Sequence, residues 1–576
     1  MSFLRAARVL FAASAVALAL PAAAWAHAAL LRTSPEPGGI ISNAPPRVLL
    51  SYSEAVEPRF AVVSVTDAAG HRVTAGPPTR SASDPKTLFA PLRRIGQGWY
   101  LVWWRVISED GHPVRGAFTF AIGPNPGPAP QFVIPSLSET ATTSQLLTAR
   151  WFVFLALMSA VGLYVLRVIT ARPVVRLVQG SSLRALTWAL WISLAVALAA
   201  TPIYVLLATA QFASRSFFDF ENVIPLAWDS AFGRGFLILE GCLALFAAAA
   251  VVTVWVDRPE RPQRSVAELL AVAGGVGAAA ACLLVPGVAG HANTTSPRAL
   301  ALAFDWSHLV AASVWIGGLA GLLVLWRSTR DLLRVATLGL VVPRFSNTAL
   351  ASVVLLIGSG TAAAVLKLPT LATLWQTSYG QALLVKIALL AAAMLLAAFN
   401  LARTKPRLQA ARDRPDLAVG AAVLLRRLIA GETIFVWGAV FAAAVLSSLA
   451  PPSKALAKIG HASARVGPGA VAETIHRNGY TVAVRITPNR AALPDTFEAR
   501  ITRGGKPVRG ALVVTSFEML DMDMPAQSFA FREMAPGTYE KAAPTLVMAG
   551  HWAVTFQITP RGGTSFDVLL VDRAGG

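Results

Sequence analysis

From about residue 149 the hydrophobic positions stop alternating with polar ones and run together. Eight stretches, roughly 149–170, 185–210, 232–256, 266–289, 301–326, 345–366, 381–402 and 428–450, hold the ~20 apolar residues that a bilayer-spanning helix needs. On either side the pattern shortens to β-rich runs separated by Pro, Gly and Asp. Before the helices these are 48–52, 60–66, 100–106 and 117–122; after them, 480–486, 497–502, 511–517, 552–558 and 566–571. Short runs at this spacing predict small antiparallel sandwiches or barrels. The expected fold is a multi-domain membrane protein: an N-terminal β-sandwich or Greek-key barrel, an eight-helix transmembrane bundle and a C-terminal β-sandwich.

The first residues have their own pattern. Arg5 and Arg8 precede an apolar run to Leu20, then Pro21 and Ala24-Trp25-Ala26. A basic start, a short apolar core and a small-x-small ending predict a signal peptide over 1–26, cleaved to expose His27. The expected segments are then a β domain at 27–123, a Pro/Gly-rich linker at 124–147, the membrane block at 148–450 and a second β domain at 451–576.

Composition agrees with this division. Hydrophobic residues make up 55% of the 576 and charged residues 14%, well below the quarter usual in a soluble domain. The net charge of +20 raises the question of nucleic acid, and its distribution answers it. The loops after the odd-numbered helices carry eighteen Lys and Arg, whereas the opposite loops hold Arg215, Arg298 and Lys367. This asymmetry is topological. It predicts a cytoplasmic (inner) membrane protein with both β domains outside the cytoplasm, and nucleic acid is discarded as a partner. Cys242 and Cys282 both lie in apolar runs, so neither a disulfide scaffold nor a thiolate cluster is expected.

Soft and borderline metal ligands are scarce, so their positions carry information. None of the eight His falls in a loop assigned to the cytoplasm, and five of the eight Met (Met519, Met522, Met524, Met534, Met548) crowd into the last domain. As a mature terminus, His27 offers an amine and an imidazole that chelate one metal in a single ring, which suits Cu(II). Asp110-Gly111-His112 offers a carboxylate and an imidazole two residues apart after a β-rich run.

A mature start His-Ala-x-Leu-x-x-x-x-Pro with a late Asp-Gly-His before Gly-x-Phe-x-Phe resembles the CopC copper-binding family. That resemblance implies Cu(II) held by His27 (amine and ring) and His112, with Asp110 at or near the metal. Because the mature N-terminal domain has no Met, Cu(II) alone is expected there. The membrane block resembles CopD. The residues that carry this are Gly290-His291-Ala292, Asp305-Trp306-Ser307-His308, Trp315-Ile316-Gly317-Gly318, Phe345-Ser346, Tyr379-Gly380 with Lys386, and Arg426-Arg427 with Glu432. The tail resembles the YtkA-like module through Met519-x-x-Met522-Asp523-Met524 and Ala549-Gly550-His551-Trp552. Together these resemblances imply a CopC/CopD copper-resistance fusion protein with a C-terminal YtkA-like domain.

Thioethers select Cu(I), so Met519, Met522, Met524 and His551 are a candidate Cu(I) set; the alternative is that the Met simply fill a small core. Within the helices, ionisable groups mark function by default. They are Glu240, Asp305, His308, Lys386 and Glu432, and four of the five gather in the outer half. Asp305 and His308 are three apart and share a helix face. With His291 they are expected to form a copper entry site, its charge set by Lys386 and Glu240. The alternative is a structural Lys386–Glu240 or Lys386–Asp305 pair.

The leading expectation is copper binding and uptake across the membrane, with sequestration outside the cytoplasm as the alternative. Import is favoured because the acceptor domains face outward and no nucleotide motif exists to drive efflux. The expected partners are copper ions, the lipid bilayer and extracytoplasmic copper chaperones. A copper monooxygenase would need a flat substrate face that nothing here specifies, and a haem protein would need more His within helices. The chain is not expected to be an enzyme.

Overall fold

The computed structural model describes residues 30–52, 55–107, 113–127, 130, 143–213, 215–288, 290, 297–404, 406–407, 415–449, 456, 462–491, 495–520, 526–543, 545–547 and 550–575. They form two compact units, one helical and one of β structure.

The N-terminal β domain holds β1 (Leu30–Ser34), β2 (Ile40–Ile41), β3 (Arg47–Tyr52), β4 (Val62–Asp67), β5 (Thr79–Arg80), β6 (Thr87–Pro91), β7 (Gly98–Ile107) and β8 (Pro113–Ile122). They make two four-stranded sheets, in the orders β1-β3-β6-β5 and β2-β8-β7-β4. Alternate residues point inward, so Val48, Leu50 and Tyr52 of one sheet and Val102, Trp104, Phe118 and Phe120 of the other share one core. Tyr52 meets Trp104 edge-on at 5.6 Å.

The C-terminal β domain holds β9 (Ala464–Val466), β10 (Val471–Arg477), β11 (Tyr480–Thr487), β12 (Asp495–Arg503), β13 (Lys506–Pro507), β14 (Leu512–Met519), β15 (Gln527–Ala530), β16 (Arg532–Ala535), β17 (Thr538–Ala543), β18 (Gly550–Thr559) and β19 (Phe566–Ala574). One sheet runs β10-β11-β12-β17-β16 with β13 on β12; the other runs β15-β14-β18-β19-β9. Phe497 and Phe517 join them at 4.7 Å.

The two β domains touch. The Ala117 N–H on β8 donates to the Val547 carbonyl at 3.1 Å. Gly116 beside it must lack a side chain, because a Cβ there would lie 2.6 Å from the Trp104 ring and 3.1 Å from the Val547 carbonyl oxygen.

The helical unit contains eight helices long and apolar enough to cross a membrane among the described residues. They are α1 (Ser144–Val165), α2 (Arg184–Phe212), α3 (Ala231–Val256), α4 (Val266–Val288), α5 (Arg298–Ser328), α6 (Asp331–Lys367), α7 (Ser378–Phe399) and α8 (Pro415–Leu446). On α2, Leu186, Leu190, Leu194 and Ala197 are buried while Trp188, Ile192, Val196 and Ile203 are exposed. An apolar surface all round identifies a helix solvated by lipid. Two helix starts differ from the sequence expectation, and one helix is additional. α6 starts at Asp331 rather than near 345, because Arg334 and Arg344 are good helix formers. α8 likewise begins at Pro415, ahead of its apolar run. A short amphipathic helix, Phe220–Asp229, occupies the α2–α3 connection.

α1 and α5 cross at two glycines. A Cβ on Gly162 would overlap the Ser313 carbonyl and Gly317, and one on Gly317 would overlap the Gly162 backbone. Such small-residue contacts are how helices associate where lipid removes the hydrophobic drive. At the end of α1, which passes into a π turn over Leu166–Thr170, Arg167 bonds Asp257 at 3.1 Å. Arg172 bonds Asp257 at 2.9 Å and Glu268 at 3.2 Å. These buried charges are matched and hydrogen-bonded, the condition under which burial is tolerated.

Replacing Gly317 by Leu should lower the stability of the detergent-solubilised full chain by at least the ~1–3 kcal/mol typical of overpacking. Gly241→Ala, where a Cβ meets nothing within 4 Å, is the control and should melt like the parent. Equal melting of the Gly317→Leu chain would show that α1 and α5 do not need this contact.

Candidate metal centre

Six of the expected ligands, His27, Asp110, His112, His291, Met522 and Met524, lie outside the described residues. Their surroundings are partly described. β1 begins at Leu30, three residues after His27, and β7 and β8 end in register at Ile107↔Pro113 on either side of 108–112. Among the described residues no three His, Cys, Asp or Glu converge on one point.

The helical unit does bring polar groups together. Asp305 and His308 lie one turn apart on α5, half-buried. The His308 ring reaches α6, where Nδ1 lies 3.3 Å from Ser359 Oγ. The Ser359 hydroxyl hydrogen is committed to the Leu355 carbonyl at 2.6 Å, so Oγ accepts and Nδ1–H donates. That assigns the tautomer and leaves a lone pair on Nε2, which accepts from Lys386 Nζ of α7 at 3.4 Å. Gly360 makes room for the ring, since a Cβ there would lie 3.0 Å from His308 Cε1. Gly287 of α4 does the same for Asp305, with a Cβ 2.8 Å from its Oδ2. Lys367 and Lys386 both act electrostatically on Asp305. The neighbouring Trp306 Nε1–H donates to the Ala280 carbonyl at 2.9 Å, holding α5 to α4.

Chemically, this is an imidazole whose outer N–H is fixed by a hydroxyl and whose coordinating lone pair faces a cation. Orientation of a ligating His through its second nitrogen is the arrangement that metal sites use. The ammonium of Lys386 occupies the position from which a metal cation would approach. Glu240 is not part of this group. It lines a separate cavity of about 140 Å³ with Thr201, Pro202, Trp228 and Phe236, and its Oε2 has no hydrogen-bond partner. Lys386 pairs with neither Glu240 nor Asp305 as a bonded ion pair; its nearest polar partner is His308. Sequence reading found Asp305 and His308 from their spacing but missed Ser359, Gly360 and Lys367. The run Gly358-Ser359-Gly360 inside an apolar helix was the available signal.

In the C-terminal domain Met519 is 2% exposed and belongs to the core with Phe517 and Trp552. It pairs in register with Trp552, so its neighbour His551 points to the opposite sheet face. The expected Met519–His551 convergence therefore fails: period two on β14 turns Met519 inward, and it is a core residue.

The same domain buries a polar group that the sequence did not disclose. Asn489, with φ 59°, donates its backbone N–H to Asp495 Oδ1 at 2.6 Å and its amide Nδ2 to Asp572 Oδ1 at 2.8 Å. All three side chains are fully buried. Loss of solvation pushes the Asp495 carboxyl up to about 7, against the hydrogen bonds from Arg490 and Asn489 and with help from the Asp572 charge. Burial likewise raises Asp572 to about 6.

Two β-sheet domains flanking eight helices long and apolar enough to cross a membrane define a multi-pass membrane protein. The comparisons with known proteins identify it further. The CopC domain family matches residues 30–123, the copper resistance protein D family 339–446 and the YtkA-like family 476–557. The copper transport protein CutJ of Bacillus subtilis (strain 168) is 25% identical over 547 residues, covering 93% of each chain. Protein YobA of Escherichia coli (strain K12) is 34% identical, covering 17% of this chain and 80% of its own. Copper resistance protein C of Pseudomonas syringae pv. tomato is 32% identical, covering 20% of this chain and 91% of its own. The chain belongs to the copper transport and resistance family, with CopC, CopD and YtkA-like domains in one polypeptide.

The raised carboxyls predict a pH dependence. An unfolded aspartate titrates near 3.9, so above that value the folded domain holds protons that the unfolded chain has released. The stability tied to them is full below about 3.9 and is lost as pH rises through about 6 for Asp572 and about 7 for Asp495. Protection of the β12 and β19 amides from hydrogen exchange in the full chain, taken relative to the intrinsic rate at each pH, should fall across that window. Asp495→Asn should flatten the dependence; an unchanged slope would show that the pair does not titrate there.

Proposed function

We propose that this chain takes copper across the cytoplasmic membrane, with both β domains on the extracytoplasmic side. In this reading the N-terminal domain captures Cu(II) through His27, Asp110 and His112 and passes copper to the helical block. His308, with Asp305 beside it and His291 three residues further along the chain than α4, receives the ion. Met522, Met524 and His551 are the remaining candidates for a Cu(I) site in the tail.

The observation that carries this is the Nε2 lone pair of His308. It is oriented by Ser359 and faces Lys386 within a helical block. Here the second nitrogen meets an ammonium, which a metal ion displaces toward Asp305. Pairing of the displaced ammonium with the Asp305 carboxylate offsets part of the electrostatic cost of bringing a cation to that depth. The direction of the basic loops and the family names support the location and the cargo.

Two experiments test the reading. Cells carrying His308→Ala, expressed at the parent level, should fail to accumulate copper by elemental analysis, while Asp305→Asn should weaken accumulation less because a neutral oxygen remains. Normal accumulation in the His308→Ala cells would favour extracytoplasmic sequestration over transport. Separately, adding one residue before His27 should weaken Cu(II) binding by orders of magnitude, because the amine leaves its chelate ring. Unchanged affinity in that extended protein would remove His27 from the site.

A further inference from the structure

The transport reading leaves one buried acid unused. Glu432 of α8 is 2% exposed. Asn400, where α7 passes into a π turn over Asn400–Thr404, hydrogen-bonds to its carboxyl. Yet Glu432 Oε1 and Asn400 Oδ1 are both buried without a hydrogen-bond partner, as is Thr404 Oγ1 in the same turn. The bond between the two side chains therefore runs from the amide N–H to the other carboxyl oxygen. It leaves two acceptors and no hydrogen for either.

Among the described residues no basic group forms an ion pair with the acid. The elements packed on α8 carry Arg150 and Tyr164 on α1; Arg298, Asp305, His308 and Arg327 on α5; Asp331, Arg334, Arg344 and Lys367 on α6; Tyr379 and Lys386 on α7; and Arg403 in the π turn. On α8 itself, Arg426 stacks on Trp326 at 4.6 Å, and Arg427 follows it. Among the described side chains none of these forms an ion pair with Glu432; burial and the Asn400 amide are what act on it. An unpaired carboxylate within a membrane helix is costly, and one carboxylate with one amide offers too few donors for a metal ion. A proton meets every condition. Added to Oε1, it lets the O–H donate to Asn400 Oδ1, closing a two-bond acid–amide ring; its loss restores the carboxylate with the amide N–H still bound. Gly431 brings the two helices close beside this pair, since a Cβ there would lie 2.9 Å from Leu396.

We propose that the Glu432–Asn400 pair is a proton-binding site that takes up and releases one proton as the helical block works. α7 carries both Lys386 and Asn400, separated by roughly 21 Å along its axis at 1.5 Å per residue. One helix thus links the His308 group to the acid, and coupling of the two rests on the transport reading.

The full chain tests both parts. In detergent, infrared spectra should show a protonated buried carboxyl that disappears at high pH and is missing from Glu432→Gln. The same band in Glu432→Gln would overturn the assignment. In vesicles containing a pH dye, copper addition should move protons with the parent chain. Glu432→Gln should reduce this to the level of protein-free vesicles, and Asn400→Leu should shift its pH midpoint. Undiminished proton movement in Glu432→Gln would overturn the proposal, as would copper uptake that answers to an imposed sodium gradient but not to a pH gradient. Failure of copper movement in every chain, with the infrared band intact, would instead strike the transport reading alone.

Discussion

A charge or an unpaired polar atom at bilayer depth has no water to turn to, and the helical block is arranged around that constraint. At the end where α1 turns, Arg167 and Arg172 are neutralised by Asp257 and Glu268. Toward the other end, His308 is held between a hydroxyl and an ammonium, with Asp305 supplying the counter-charge. Between these groups the helices meet through glycine, and α1 lies against α5 where Gly162 and Gly317 allow their backbones to touch. Close backbone contact fixes where each polar side chain emerges, so the His308 geometry depends on residues that carry no chemistry.

The sequence disclosed the spans because lipid demands a long uninterrupted apolar run. It disclosed their ends less well. α6 extends through Arg334 and Arg344 because helix formation continues beyond the apolar stretch. In the β domains the long inner strands β3, β7, β11, β12, β14, β18 and β19 were legible from their apolar content. The two-residue strands β2, β5 and β13 were not, because such short edges are set by pairing rather than by pattern.

Within the candidate site, Asp305 and His308 could be read from one helix, since a three-residue spacing is a local property. Ser359 and Lys367 of α6 and Lys386 of α7 join them from two other helices, and no spacing within one segment encodes a contact between segments. Glu240 lies elsewhere for the same reason: it faces a cavity lined by Thr201, Pro202, Trp228 and Phe236. Met519 shows the opposite limit. Its chemistry suggested a ligand, but the alternation along β14 assigns it to the core beside Phe517, while His551 faces the other way.

The bond between Ala117 and Val547 constrains the chain as a closed path. Residues more than 400 positions apart in sequence are held side by side, and all eight apolar helices lie on the strand of polypeptide between them. A path that leaves a point and returns to it must cross any sheet in between an even number of times. The parity of the crossings is thus fixed by a single contact between the soluble domains, independently of loop charge. An insertion or deletion that added or removed one span would have to break that contact, whereas changes made in pairs would leave it intact. Helical hairpins, not single helices, are the unit in which this architecture can grow or shrink.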